Sequence, residues 1–105
     1  SWAPSEQEAE RLAHEQWRTN ALSSTELVTE LHLPSLLDAA AAPMRPADVR
    51  AAVRVSSSAQ QHADWLAADV ALGFERLYLH HVGKEQGAFL ETFARDVLPA
   101  FQRAP

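Results

Sequence analysis

The chain has 105 residues, which suits one domain, and 47% of them are apolar, which excludes a disordered tail. Its net charge of −5 and its scattered Lys and Arg residues argue against nucleic acid as a partner, and no apolar run is long enough for a membrane span. It contains no cysteine, which excludes disulfides, thiolate catalysis and zinc–thiolate sites, and which fits a reducing, cytoplasmic location.

The first predicted helix runs from about residue 5 to residue 21. Ser5 and Glu8 have the spacing of a capping box, in which each side chain satisfies a free backbone N–H of the other residue. Apolar residues then recur at three- and four-residue spacing, which places them on one helix face. We expect Trp17 to anchor this helix in the core, and we interpret the start of the preceding "SWAP" as a strand fragment.

A helical insertion is predicted over about 24–53. Pro34, Pro43 and Pro46 divide it into short pieces, because proline lacks an N–H and clashes with the preceding turn. Pro46 suits the first position of the third piece.

The next helix is predicted over about 58–72, with a serine cluster before it and Gly73 as its C-terminal cap. Its inward stripe consists of Ala63, Leu66, Ala67 and Val70. The run "ERLYLHHV" then predicts a strand over about 75–82 that is apolar on both faces, as buried parallel strands are.

The last helix is predicted over about 84–102. Its inward residues are expected to be Phe89, Leu90, Phe93, Val97 and Leu98.

The order of these elements alternates between strand and helix, which favours an α/β fold with a parallel sheet. The chain offers only two candidate strands, around "SWA" and over 75–82, and two strands do not make a stable sheet. We therefore expect the chain to be the end of a larger α/β protein, and to be mostly helical when isolated.

Two stretches carry a resemblance to a known family: "SWAPSEQEAERLAHEQWRTN" and "ALGFERLYLHHVGKEQGAFLETFARDVLP". They resemble the C-terminal third of luciferase-like flavin or deazaflavin oxidoreductases. The closest group is the flavinoid oxidoreductases related to deazaflavin-dependent glucose-6-phosphate dehydrogenase. The resemblance covers nearly all of the chain and is strongest at "HEQWRTN", at Gly73-Phe74 and at "LHHVGKEQ". It implies that the chain, residues 1–105, holds the last two β/α units of a (β/α)8 TIM barrel.

The resemblance also implies where a site would lie, because barrel enzymes place their active sites at the carboxyl ends of the strands. Trp2, His80 and Gly83 would stand there. Lys84 would follow at a helix N-terminus, where it either binds an anion or is simply solvated. His80 is the best candidate for a hydrogen-bond donor or proton carrier, the alternative being a histidine that orients the loop by bonding to backbone.

The other histidines are weaker candidates for a functional site. His81 points away from His80 in an extended segment, so we expect it to pack. Glu10 and His14 are one helical turn apart, but without a second such pair a surface contact is favoured. No metal site is expected from these residues.

The function implied by the resemblance is hydride transfer or monooxygenation through FMN or a deazaflavin in the full-length parent protein. Most cofactor contacts in this family lie in the preceding units, so the chain alone is expected to bind no complete cofactor and to be inactive. Its partner would be the remainder of the barrel. The alternative is a free-standing helical interaction module that forms a homo-oligomer through its exposed strand.

Overall fold

The computed structural model describes residues 1–22 and 33–102. Five α-helices lie in these ranges, together with a 3-10 helix after the first of them and another after the last. In chain order they are α1 (Glu6–Trp17), the 3-10 helix Arg18–Ala21, α2 (Pro34–Ala41), α3 (Pro46–Ala52), α4 (Ala59–Ala71), α5 (Gly87–Asp96) and the 3-10 helix Leu98–Ala100.

The predicted α/β fold is wrong for the part of the chain that the structure describes. Residues 1–22 and 33–102 form helices and connecting segments without a β-strand, so they do not contain the two β/α units of a TIM barrel that the resemblance implied. The first residues run beside the α3–α4 connection, where the Ser1 amine donates to the Arg54 carbonyl at 2.6 Å and the Ser1 carbonyl accepts from the Ser56 N–H at 3.1 Å. Two bonds at a single residue do not make a ladder.

The predicted strand over 75–82 is an extended segment that pairs with no other strand among the described residues. Among the described residues, the backbone of 74–82 exchanges no hydrogen bond with another backbone group. The segment is also not buried on both faces, because Tyr78 is 90% and Leu79 is 43% exposed. A strand depends on the chain next to it as well as on its own sequence, and the described residues place no chain there.

Local signals define the helix beginnings. The Ser5 hydroxyl accepts from the Glu8 N–H at 3.2 Å, and the Ser58 hydroxyl accepts from the Gln61 N–H at 3.1 Å. These bonds satisfy N–H groups that have no partner inside α1 and α4. Helices α2 and α3 instead begin at Pro34 and Pro46, where the missing N–H costs nothing.

One hydrophobic core lies between α1 and α3. Ala9 and Ala13 face it from α1 and are almost completely buried, and Val49 faces it from α3. Because alanine is small, the two helices can approach closely. Arg50 reinforces the contact by donating from Nε to Glu10 at 2.7 Å and from Nη2 to Glu6 at 3.1 Å.

The second core lies between α4 and α5. Leu66 from α4 and Phe93 from α5 belong to it, together with the completely buried Val97. Trp2 belongs to this core, whereas the neighbouring Ala3 belongs to the first. The extended N-terminal residues therefore join the two halves, because successive side chains of an extended segment point in opposite directions.

The helices lie close to the predicted ranges, but they are shorter. The helix predicted over 5–21 is α1 plus a 3-10 turn, and the helix predicted from 84 begins only at Gly87. The part of the helical insertion at 24–32 lies outside the described residues. Four residues predicted to face inward are exposed: Ala67, Val70, Leu90 and Leu98.

Candidate functional site

Gly73 directs the chain from α4 into the segment that carries the candidate site. Its φ is +99°, a conformation that glycine adopts at little cost, which confirms the predicted C-terminal cap. The chain then runs extended toward α5. As a consequence, consecutive side chains of this segment face opposite sides.

His80 is exposed and stands beside the end of α1. Its ring meets the Trp17 ring edge-on, with 4.6 Å between the centroids and 78° between the planes. Trp17 is only half-buried, so it is not the core anchor that the sequence predicted. The imidazole is thus held by an aromatic edge while it stays open to solvent, as a proton carrier or hydrogen-bond donor requires.

His81 faces the other way and packs, as predicted. Its ring is buried and stacks on Phe89, with 4.6 Å between the centroids and 11° between the planes. Burial lowers the pKa of His81 below its usual range, which keeps the imidazole neutral. The Nδ1 atom has no hydrogen-bond partner among the described residues.

The loop after His81 is fixed by Gln86. Its side-chain amide donates to the carbonyl oxygens of His81, at 3.3 Å, and of Gly83. A Cβ on Gly83 would lie 2.6 Å from His81 Nε2, so only glycine fits there without displacement of the ring. Lys84 is exposed and stands three residues before α5 begins, so it is not at the helix N-terminus that the sequence predicted.

A cavity of about 360 Å³ lies between the N-terminal residues, α4 and the extended segment. All three tryptophans of the chain line it, together with His80 and Tyr78. Of the four predicted site residues, Trp2 and His80 therefore lie around one cavity, whereas Gly83 and Lys84 are not among its lining residues.

The charged pair that lines this cavity, Arg54 and Asp69, was not predicted from the sequence. Arg54 donates from its two terminal nitrogens to the Asp69 carboxylate at 2.6 and 2.9 Å, and these bonds hold the pKa of Asp69 below its usual range. The Arg54 guanidinium also lies 5.8 Å from the centre of the Trp65 ring. Fifteen positions separate Arg54 from Asp69, and no motif in the sequence signals the pairing.

The arrangement offers aromatic surface and an accessible imidazole, whereas His14 and Glu10 are occupied by other contacts. His14 donates from Nε2 to the Met44 carbonyl at 2.6 Å, while Glu10 accepts from Arg50. In residues 1–22 and 33–102, no group of three His, Asp or Glu side chains is placed to hold a metal ion. None of the helices in the described ranges combines the length and apolar character needed to cross a membrane.

The sequence matches no protein-family model and no curated protein.

Proposed function

We propose that the chain is the C-terminal portion of a luciferase-like oxidoreductase that works through FMN or a deazaflavin. The observation that supports this most directly is the contact between Trp17 and His80. Trp17 belongs to "HEQWRTN" and His80 to "LHHVGKEQ", the two stretches at which the resemblance is strongest. Although far apart in the sequence, these residues meet, and both line one cavity.

His80 is proposed as the residue that serves the reaction. It is exposed, its ring orientation is limited by the Trp17 edge, and the Gln86 bonds fix the loop just after it. In this role it would hold or pass a proton at one ring nitrogen while the cofactor carries the electrons. Neutral His81 behind it would serve only to position the segment.

The chain supplies only part of what a whole cofactor needs. Its aromatic side chains and its accessible imidazole fit a planar ring, but Lys84, the predicted anion contact, lies outside the cavity. We therefore propose that the preceding portion of the parent protein completes the cofactor site and covers residues 74–82. A cytoplasmic location belongs to the same proposal, and it is supported by the absence of cysteine.

The proposal is tested on the protein isolated from its native source. It would be isolated with an antibody against this chain, and its intact mass and visible absorption spectrum would be measured. The proposal expects a mass several times that of the 11.6 kDa chain, together with the absorption of a flavin or deazaflavin. A native mass equal to that of the 105 residues, with no such chromophore after reconstitution, would sink it.

The role of His80 has its own test in that full-length protein. His80→Ala should lower kcat by about 100-fold or more, the usual contribution of a positioned proton carrier. Arg76→Ala is the matched control, because Arg76 is an exposed residue of the same segment that does not line the cavity. Equal kcat values for the two variants would remove His80 from the reaction.

A second candidate function is a helical interaction module that self-associates through the extended segment. The exposed side chains of Leu72, Phe74 and Tyr78 favour it, since apolar surface of this kind often marks an interface. Sedimentation equilibrium of the isolated chain separates the candidates. A tight dimer of the 105-residue chain supports the module, and a monomer supports the oxidoreductase portion.

A further inference from the structure

The cavity is lined by more aromatic side chains than a simple gap in the packing would need. Trp2, Trp17 and Trp65 approach it from three different parts of the chain, and Tyr78 and His80 line its mouth. Its volume of about 360 Å³ lies at the small end of the range for small-molecule sites, about 300–1,000 Å³. Flat aromatic walls favour a flat aromatic occupant, because stacked and edge-on ring pairs add to the energy of burial.

Two of these walls are already fixed in position. Trp2 donates from Nε1 to the Ser57 carbonyl at 3.0 Å, which holds the indole in one orientation. Trp65 is held between the Arg54 guanidinium and the edge of His62, 5.1 Å away between centroids. Because these side chains are already held in place, little conformational entropy is lost when a ligand binds between them.

The lining carries little net charge at neutral pH. Burial lowers the pKa of both His62 and His81, so both rings are neutral, and Arg54 is paired with Asp69. A charged ligand would lose its hydration without gaining a counter-charge, so the occupant is expected to be uncharged.

His81 contributes no polar group to the cavity. It is 7% exposed, and its Nδ1 has no hydrogen-bond partner among the described residues but also less than 1 Å² of accessible surface. A ligand in the cavity therefore does not reach this nitrogen, and the aromatic side chains determine what the cavity accepts.

We propose that this cavity binds an uncharged, planar aromatic molecule of two or three fused rings. The inference goes beyond the proposed function, because it concerns what the isolated chain binds, and it holds whether or not the parent protein is an oxidoreductase. Such a ring can belong to a flavin-type cofactor or to an aromatic substrate.

The experiment titrates the ¹⁵N-labelled chain with three neutral probes and follows the three indole N–H signals by NMR. The probes are 2-naphthol, lumichrome (a flavin ring system without its side chain) and cyclohexylmethanol, which is not aromatic. Saturable shifts of all three indole signals with at least one aromatic probe are expected. Tighter binding of lumichrome assigns the ring to a cofactor, and tighter binding of 2-naphthol assigns it to a substrate.

Two exposed aromatic residues of the same segment provide the matched variants. Tyr78→Ala removes a ring from the mouth and should raise the half-saturating concentration by about fivefold, the worth of one aromatic pair. Phe74→Ala removes an exposed ring that does not line the cavity, and it should leave that concentration unchanged. The proposal is overturned by an absence of saturable shifts, by equal binding of cyclohexylmethanol, or by equal effects of the two variants.

Discussion

At the scale of single residues, the Gly83–His81 contact makes a sharp prediction. Gly83→Ala places a Cβ 2.6 Å from His81 Nε2, and the ring cannot easily retreat because it is buried and stacked on Phe89. We expect a loss of about 1–3 kcal/mol in the free energy of unfolding, the usual cost of overpacking. Urea denaturation measures it.

The matched control is Gly87→Ala. No atom outside the helix backbone and the neighbouring residues lies within 4 Å of the added Cβ, and Gly87 is the first residue of α5. Alanine forms helix better than glycine, so this variant should be as stable as the parent chain or more stable, by up to about 1 kcal/mol. Equal destabilisation by the two substitutions would mean that the His81 contact does not limit position 83.

The buried histidines predict how stability depends on pH. The pKa values of His62 and His81 lie below 6.5 in the folded chain, chiefly because of burial, so the unfolded chain binds protons first as the pH falls. Their stabilisation is complete above pH 6.5 and decreases below it until the folded pKa values are reached. Between pH 6 and pH 5 we therefore expect the free energy of unfolding to fall.

The measurement is urea unfolding at several pH values in that interval. The Ser1 amine acts with the same sign but at higher pH, between its ordinary pKa of 8.0 and about 6, so it adds little below pH 6. Equal stability at pH 6 and pH 5 would contradict the neutral, buried state of the two histidines.

At the scale of elements, serine caps stabilise two of the helices. Ser5→Ala and Ser58→Ala each leave a backbone N–H of α1 or α4 without its partner, and each should cost about 1 kcal/mol. Ser35→Ala is the control, because the first turn of α2 shows no side-chain cap. Thermal unfolding followed by circular dichroism compares the three. A loss for Ser35→Ala equal to the others would refute a capping role.

The same elements show which features of the fold can be predicted from the sequence. Helices α1 and α4 are predictable because a serine cap, a 3.6-residue apolar period and Gly73 are all local signals. The opposite orientation of His80 and His81 is predictable too, from the alternation of an extended chain. The strand prediction at 75–82 failed because strand identity depends on a neighbouring chain. The Arg54–Asp69 pair and the Trp17–His80 contact are likewise long-range products of packing.

At the scale of the whole molecule, the exposed extended segment leads to a prediction about the native protein. In the isolated chain, the amides of 74–82 donate to no backbone carbonyl among the described residues, so they should exchange with deuterium rapidly. If a further portion of the parent protein covers this segment, as proposed, the same amides should become strongly protected in the native protein. Mass spectrometry of peptic peptides can compare the two.

Helix α4 is the internal reference for this comparison, because its amides are bonded within the helix in both forms. Protection confined to 74–82 would mean that the segment gains hydrogen-bonding partners in the parent protein, since side-chain contacts alone do not protect a row of consecutive amides. If 74–82 exchanged as rapidly in the native protein, its backbone would gain no hydrogen-bonding partners there, contrary to the proposal that the preceding portion covers it. The segment would then be available for self-association, which favours the interaction module over the oxidoreductase portion.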